Sequence, residues 1–178
     1  MHVQRNSKGC RAGKAIHAGL LCSMALLGII PCSRGAAPTA TPLAPYQGLF
    51  RSPTHAALDS QGNLYVTDSR AGTVMKLNVS GTQVAMTNGL SKPLAVAVGN
   101  QNRVYVSEEG TGRVRVFDSS LSNAPSSLGS GAGEFQLPND IAVDTTQSNG
   151  WIYVSDSRTN QIRCYTNSTL IKTFGSKP

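Results

Sequence analysis

The stretch Gly62-Asn-Leu-Tyr-Val-Thr-Asp68 returns twice along the chain, as Asn102-Arg-Val-Tyr-Val-Ser-Glu108 and as Trp151-Ile-Tyr-Val-Ser-Asp156. Each copy places a tyrosine between two aliphatic residues and ends in an acidic residue. Nine positions after each tyrosine comes another aliphatic residue, at Val74, Val114 and Ile162. Matched motifs at constant spacing define an internal repeat of about 40 residues, and the fold must follow from that repeat.

Each repeat opens with a proline, at Pro53, Pro93 and Pro138, which stands 12, 12 and 15 residues before the tyrosine. Each repeat then holds four short β-prone runs separated by turn residues, which predicts a four-stranded antiparallel sheet. In the second run the tyrosine points to one face and the aliphatic residues to the other, so both faces of the sheet need a covering neighbour. Stacked sheets of four strands predict an all-β protein built as a β-propeller.

The repeats resemble the NHL repeat, whose family folds as six-bladed β-propellers. The segments that carry the resemblance are Pro138-Asn-Asp-Ile-Ala-Val-Asp144, Gly62-Asn-Leu-Tyr-Val-Thr-Asp68, Asn160-Gln-Ile162 and Phe174-Gly175. The family's signature tripeptide is altered in every copy, to Gly72-Thr-Val74, Gly112-Arg-Val114 and Asn160-Gln-Ile162, so these are degenerate repeats. The resemblance covers residues 48–178 and implies three blades, at 48–90, 91–135 and 136–178.

Three blades cannot close a propeller, since rings hold four to eight. The chain ends on Lys177-Pro178, which matches the opening of a repeat at Lys92-Pro93. We therefore expect an incomplete ring, the N-terminal half of a six-bladed propeller. A half-propeller completed by a second copy is the alternative. Either arrangement predicts an exposed apolar blade face and self-association through that open edge.

Residues 1–35 have the three parts of a secretory signal peptide: basic residues, an apolar run at 18–30 and a small-residue stretch at 33–37. The run is shorter than the ~20 residues that cross a bilayer, so we expect cleavage and no stable membrane span afterwards. The mature protein is then secreted, periplasmic or on the cell surface, with lipidation at Cys32 as a minor alternative. Residues 36–47 are rich in proline, alanine and threonine, which predicts a linker.

The formal net charge of +7 suggests a polyanionic partner, but its distribution argues against one. Five of the 16 basic residues precede residue 40, where the chain has no acid, and the rest of the chain has 11 basic against 9 acidic residues. A basic excess confined to a cleaved segment is not a nucleic-acid-binding patch. We therefore expect no nucleic-acid partner.

Acidic residues occupy one repeat position, at the end of each tyrosine-bearing strand: Asp68, Glu108 and Asp156. Three carboxylates at matched positions are weak candidates for a metal site. The favoured interpretation is structural, because such carboxylates commonly accept backbone N–H groups of the loop that follows. His55, the one histidine after the predicted signal, falls short of the several imidazole or thiolate ligands that zinc sites use. We therefore expect no cofactor.

Arg70, Glu109 and Arg158 lie in the loops after the second strand of each blade, and matched loops gather on one rim of a propeller. They are the candidate binding residues, and they predict a non-catalytic platform for a protein or glycan partner. One alternative is the N-terminal half of a propeller enzyme, similar to gluconolactonase-like hydrolases or amidating lyases, whose divalent-cation site would be completed by further blades. Another is a structural or adhesive module of a larger surface protein.

Overall fold

The three repeats form three antiparallel sheets of four strands, and the strands of each sheet lie in chain order. The computed structural model describes residues 48–122, 126–130, 133–146 and 150–175. The predicted signal peptide, the predicted linker and the Lys177-Pro178 pair lie outside these residues. Within them, no helix has the length and apolar character needed to cross a membrane.

The strand bounds follow the runs that the repeat predicted. Blade 1 consists of β1 (Pro53–Leu58), β2 (Leu64–Asp68), β3 (Thr73–Leu77) and β4 (Gln83–Thr87). Blade 2 consists of β5 (Pro93–Val98), β6 (Val104–Glu108), β7 (Arg113–Phe117) and β8 (Ser126–Ser127). Blade 3 consists of β9 (Pro138–Asp144), β10 (Trp151–Asp156), β11 (Gln161–Thr166) and β12 (Thr169–Phe174). The predicted all-β class and the three four-stranded blades are confirmed.

The sheets stack through the tyrosine-bearing strands. Tyr65 of β2 is buried against blade 2, and Tyr105 of β6 takes the same place against blade 3. The aliphatic side chains that they meet are Val104 and Val106 for Tyr65, and Ile152 and Val154 for Tyr105. Burying one side chain of this kind contributes about 1.5–3 kcal/mol. We call this contact, the tyrosine face of one blade on the aliphatic face of the next, a blade joint; it occurs twice.

The first strand of each blade lies innermost, because β1 contacts β5 and β5 contacts β9 along the stack. Each of these strands is irregular just after its opening proline: the pairing register shifts between Pro53 and His55, between Pro93 and Val96, and between Pro138 and Asp140. Proline has no backbone N–H to donate to the ladder, so a bulge at this point is expected. Each bulge therefore sets the direction of the side chains that follow the proline on the inner strand.

Candidate functional site

Each blade ends its second strand in a buried carboxylate that accepts several hydrogen bonds. Asp156 is 1% exposed and accepts the backbone N–H groups of Gln136 at 2.8 Å and Leu137 at 3.0 Å, just before β9. It also accepts the N–H groups of Arg158 at 3.2 Å and Thr159 at 3.3 Å, in the loop after β10. One side chain therefore ties the lead-in of its blade to the loop between two strands. We call this arrangement the carboxylate clasp.

Asp68 forms the clasp of blade 1. It accepts the backbone N–H groups of Arg51 and Ser52 before β1, and that of Ala71 at 2.8 Å after β2. Burial raises the pKa of Asp68, but these N–H groups outweigh it and hold the pKa below its usual value. The same balance lowers the pKa of Asp156. Both carboxylates are therefore held in the ionised form.

Glu108 forms the clasp of blade 2 with a longer side chain and different donors. Its carboxylate accepts the Ser91 N–H at 2.9 Å, the Thr111 hydroxyl at 3.0 Å and the Arg113 Nε–H at 2.7 Å. Arg113 pairs with Glu108 across the strands, where the other two blades carry a threonine and a glutamine. The guanidinium thus takes over the part that loop N–H groups play in blades 1 and 3, and it neutralises the buried charge.

The clasp carboxylates do not fit a metal centre. Each belongs to a different blade and already accepts three or more donors, and N–H donors repel a cation. In the part of the chain that the structure describes, no three His, Cys, Asp or Glu side chains are placed to hold a metal ion. Asp68 and Asp156 make the loop hydrogen bonds that the structural interpretation expected, whereas Glu108 accepts side-chain donors on its loop side instead of backbone N–H groups. The sequence pattern did not indicate the second half of each clasp, the bond to the lead-in.

The predicted rim residues lie in loops that the clasps hold. The backbone of each loop repeats one more hydrogen bond to its lead-in: Ser69 N–H to Ser52 at 3.0 Å, Glu109 N–H to Lys92 at 3.1 Å, and Ser157 N–H to Leu137 at 3.2 Å. Arg70 and Arg158 occupy equivalent positions and are exposed. Neither guanidinium makes a hydrogen bond or ion pair within the described residues. The structure therefore brings both arginines to one rim on a shared backbone frame.

Glu109 lies on the same rim but one position earlier in its loop, where the other blades carry serine. Its carboxylate is 3.5 Å from the ammonium of Lys92, an exposed pair that contributes at most about 1 kcal/mol. Gly110 takes the arginine position in this blade; a Cβ there would lie 2.1 Å from the Ser91 hydroxyl oxygen and 3.0 Å from the Ser91 Cβ, so an arginine would require Ser91 to shift. The loop of blade 2 therefore has no side chain at the position where the loops of blades 1 and 3 carry an exposed arginine.

A contact that the sequence did not indicate joins two inner strands. His55 Nε2 on β1 lies 3.3 Å from Asp140 Oδ1 on β9, so the pair reaches across the inner strand of blade 2. The equivalent residue of that strand is Ala95, which is fully buried. His55 Nδ1 is buried and has no hydrogen-bond partner within the described residues. The sequence does contain one indication of this contact: His55, Ala95 and Asp140 each lie two positions after the proline that opens their repeat.

The turns between first and second strands, at the opposite end of the blades, are also held by acids. Asp59 Oδ1 accepts the N–H groups of Gln61 at 3.0 Å and Asn63 at 2.8 Å. Asp144 Oδ1 accepts the N–H of Thr146 at 2.9 Å. Burial raises the pKa of Asp59, and the hydrogen bonds with Asn63 and Gln61 and the charge of Lys76 bring it below its usual value. Both acids are therefore turn-forming groups.

Comparison with known proteins agrees with this architecture. The chain carries an NHL repeat at residues 90–117, the stretch that the family model of that name matches. No curated protein matches the sequence. Among solved structures, a streptogramin B lyase is similar with a TM-score of 0.58 at 15% identity, over 70% of this chain and 40% of that one.

Two further structures give the same picture. A hydrazine synthase from Kuenenia stuttgartiensis is similar with a TM-score of 0.59 at 16% identity, over 73% of this chain and 39% of that one. A catalytically inactive histidine-to-alanine variant of virginiamycin B lyase from Staphylococcus aureus, with quinupristin, has a TM-score of 0.56 at 15% identity, over 69% and 41%. At these identities the likeness is one of fold, the β-propeller. The chain spans about two fifths of the length of these neighbours.

Proposed function

We propose that this chain, which carries an NHL repeat and folds as blades of a β-propeller, is a non-catalytic binding platform that presents its clasp-held rim loops to a protein partner. The observation that supports this is that the loops share one backbone hydrogen-bonding pattern but differ in the exposed residue at the tip. The backbone of each loop is held by the same hydrogen bonds, whereas the exposed tip is Arg70, Gly110 or Arg158. A fixed frame with variable exposed tips suits recognition.

The charge of the rim indicates what kind of partner it suits. Arg51, Arg70, Lys92 and Arg158 are exposed at this end of the blades, and Glu109 offsets only Lys92. Arginine is enriched among the residues that dominate binding energy, and its planar guanidinium matches a carboxylate in a bidentate geometry. The rim therefore suits a protein surface rich in aspartate and glutamate, and such an interaction weakens as salt rises. A carboxylate-bearing glycan is the competing ligand.

Photo-crosslinking of the full chain in its source organism tests the platform. A photoreactive residue at Arg70 or Arg158 is expected to give a discrete adduct, and one at Ser60, exposed in a turn at the opposite end, is not. Replacing both arginines by alanine should weaken capture of that adduct's partner at least tenfold, whereas Arg103→Ala, an exposed arginine away from the rim, should not. Equal labelling from both ends would refute the rim as the binding surface. An adduct that periodate or a glycosidase destroys would assign the rim to a glycan.

The predicted signal peptide places the platform outside the cytoplasm, and this placement is part of the proposal. The first residue and intact mass of the native protein check it, since cleavage should leave a chain that starts near residue 36. A cytoplasmic chain that retains residue 1 would contradict it.

The His55–Asp140 contact supports one other candidate, a propeller enzyme of the lyase or hydrolase kind. A histidine 3.3 Å from a carboxylate on converging inner strands is a pair that moves protons in many active sites. The test is turnover of quinupristin or of sugar lactones by the full chain, with His55→Ala and the rim variant Arg70→Ala compared. Loss of turnover in the first variant alone supports the enzyme. No turnover by the wild-type chain excludes these substrates.

A further inference from the structure

The two blade joints differ at the end that holds the turns between first and second strands. In the joint of blades 1 and 2, this end contains the fully buried carboxylate of Asp59. Its Oδ2 accepts the Asn63 side-chain amide at 2.8 Å and the Tyr65 hydroxyl at 3.3 Å. The ammonium of Lys76 lies 3.6 Å from the same oxygen. The negative and the positive charge therefore balance each other inside this joint.

The joint of blades 2 and 3 lacks the carboxylate at the equivalent place. Four positions can be compared directly, because each keeps its distance from the tyrosine of the second strand. The residues of blade 1, followed by those of blade 2 in the same order, are Asp59, Asn63, Tyr65 and Lys76, and Gly99, Arg103, Tyr105 and Val116. The carboxylate and the ammonium are both lost, and the neutral amide is replaced by a guanidinium. These four positions of blade 2 therefore hold a cation and no acid.

A cavity of about 80 Å³ lies at this end of the second joint. Tyr105 and Val116 line it from blade 2, and Gly150 and Ser168 line it from blade 3. Arg103 also lines it and is exposed, so the cavity opens to solvent on that side. Among the described residues, no aspartate or glutamate contributes to its wall. A cavity of roughly 150 Å³ holds a benzene molecule, so this one has room for a few heavy atoms.

The guanidinium of Arg103 has no carboxylate partner. It forms no ion pair within the residues that the structure describes. Asp118 lines a neighbouring groove with Arg103, but its carboxylate accepts the hydroxyls of Ser120 and Ser122. Arg103 lies within hydrogen-bonding reach of the Tyr105 hydroxyl, and burial raises the pKa of that tyrosine. The hydroxyl therefore stays protonated, and the cavity wall carries two donors and one positive charge.

We propose that this cavity binds the carboxylate group of a small organic acid, in the place that the Asp59 side chain occupies in the other joint. The ligand accepts from Tyr105 and Arg103 as the Asp59 carboxylate accepts from Tyr65 and Asn63. A planar guanidinium matches a carboxylate and adds the charge that Asn63 lacks. The cavity lies away from the rim loops, so this site is independent of what the rim binds.

Titration of the full chain with sodium acetate, followed by NMR, tests the site. The amide signals of Gly150 and Ser168 should shift and saturate, with a Kd of roughly 0.1–10 mM for so small a ligand. Sodium chloride and sodium phosphate at equal ionic strength should not saturate these shifts. Benzoate, which is larger than benzene, should not bind. Equal affinity for acetate, chloride and phosphate would overturn the proposal.

Variants at the two compared positions separate this site from a general charge effect. Arg103→Gln, at an exposed position, should weaken acetate binding at least about tenfold. Lys172→Gln is the matched control, because it removes one exposed cation from β12, outside the cavity wall. Gly99→Asp supplies the carboxylate from the chain itself and should abolish acetate binding. Unchanged binding in Arg103→Gln, or an equal loss in Lys172→Gln, would overturn the proposal.

A matched pair of peptides distinguishes a free acid from the end group of a longer molecule. Acetyl-diglycine carries a terminal carboxylate, and acetyl-diglycine amide does not. Binding of the acid at least as tightly as acetate, with no binding of the amide, assigns the site to a chain-terminal carboxylate. Binding of acetate without either peptide assigns it to a free small acid. Binding of the amide as tightly as the acid would overturn carboxylate recognition.

Discussion

Replacing Asp156 by alanine removes one carboxylate clasp and should destabilise blade 3 more than any surface change on that blade. The side chain is 1% exposed and accepts four backbone N–H groups between 2.8 and 3.3 Å. A hydrogen bond to a charged group contributes about 1.5–3 kcal/mol, and a buried donor left without a partner costs about 1–3 kcal/mol. Gln136 and Arg158 are exposed, so water can replace the lost carboxylate there, whereas Leu137 is half-buried and Thr159 is 3% exposed. We therefore count the bonds to Leu137 and Thr159 in full and expect a loss of about 3–5 kcal/mol.

A loss of that size is a large share of the 5–15 kcal/mol that stabilises a typical domain, and it lowers the melting temperature by roughly 10–20 °C. Trp151, the one tryptophan of the chain, lies on the same strand as Asp156, so its fluorescence during urea unfolding reports on blade 3. Asp144→Ala is the control: this half-exposed acid at the end of the neighbouring strand accepts one backbone N–H, that of Thr146, so its loss should cost no more than about 1 kcal/mol. Wild-type unfolding of Asp156→Ala, or an equal loss in the control, would refute the clasp as a stabilising device.

Three further predictions test the same architecture. Because the folded-state pKa of Asp68 and Asp156 lies below the unfolded value, urea midpoints should be flat from pH 7 to 5 and fall as the pH drops through the folded pKa, less so in Asp156→Ala. Tyr105→Asp would bury a charge in a blade joint and should cost several kcal/mol in thermal melting; a wild-type melt would contradict the stacking. Gly112→Ala should have a clearly lower melting temperature than Gly133→Ala. Both glycines have positive φ, but of the two only Gly112 would place a Cβ 2.1 Å from a backbone oxygen. Equal melting temperatures would contradict this steric argument.

The blades could be predicted from the sequence because the repeat contains two independent kinds of information, on strand pairing and on burial. The spacing from tyrosine to the next aliphatic residue gives the hairpin, and the tyrosine between aliphatic residues gives a sheet covered on both faces. Tyr65 and Tyr105 are buried as that pattern requires. Strand registers within each blade then follow from alternation, since a slip of one residue would turn the tyrosine to the wrong face.

The candidate site could be predicted only where its contacts join residues that are close in the sequence. Each clasp acid lies within a few residues of the loop that follows it, so the hydrogen bonds between the acid and that loop can be predicted from the sequence. The contact of His55 with Asp140 depends on how three bulged inner strands converge, and no short-range pattern encodes that. The repeat spacing aligns Gly110 with Arg70 and Arg158, but the crowding of Gly110 by Ser91 comes from the preceding lead-in, and the spacing does not show it.

The carboxylate clasps also bear on how the chain folds while it is being made. Each clasp acid reaches back only 16 to 20 residues to its lead-in, so a blade can close its clasp as soon as its second strand has left the ribosome. Hairpins form in microseconds, whereas synthesis adds about 5–20 residues per second. We therefore expect the strands of blade 1 to be able to pair, and its clasp to close, seconds before blade 2 emerges to cover Tyr65. The growing chain passes that interval with one uncovered apolar face and without a long unfolded segment, and slow codons between the blades would lengthen the time during which that face can aggregate.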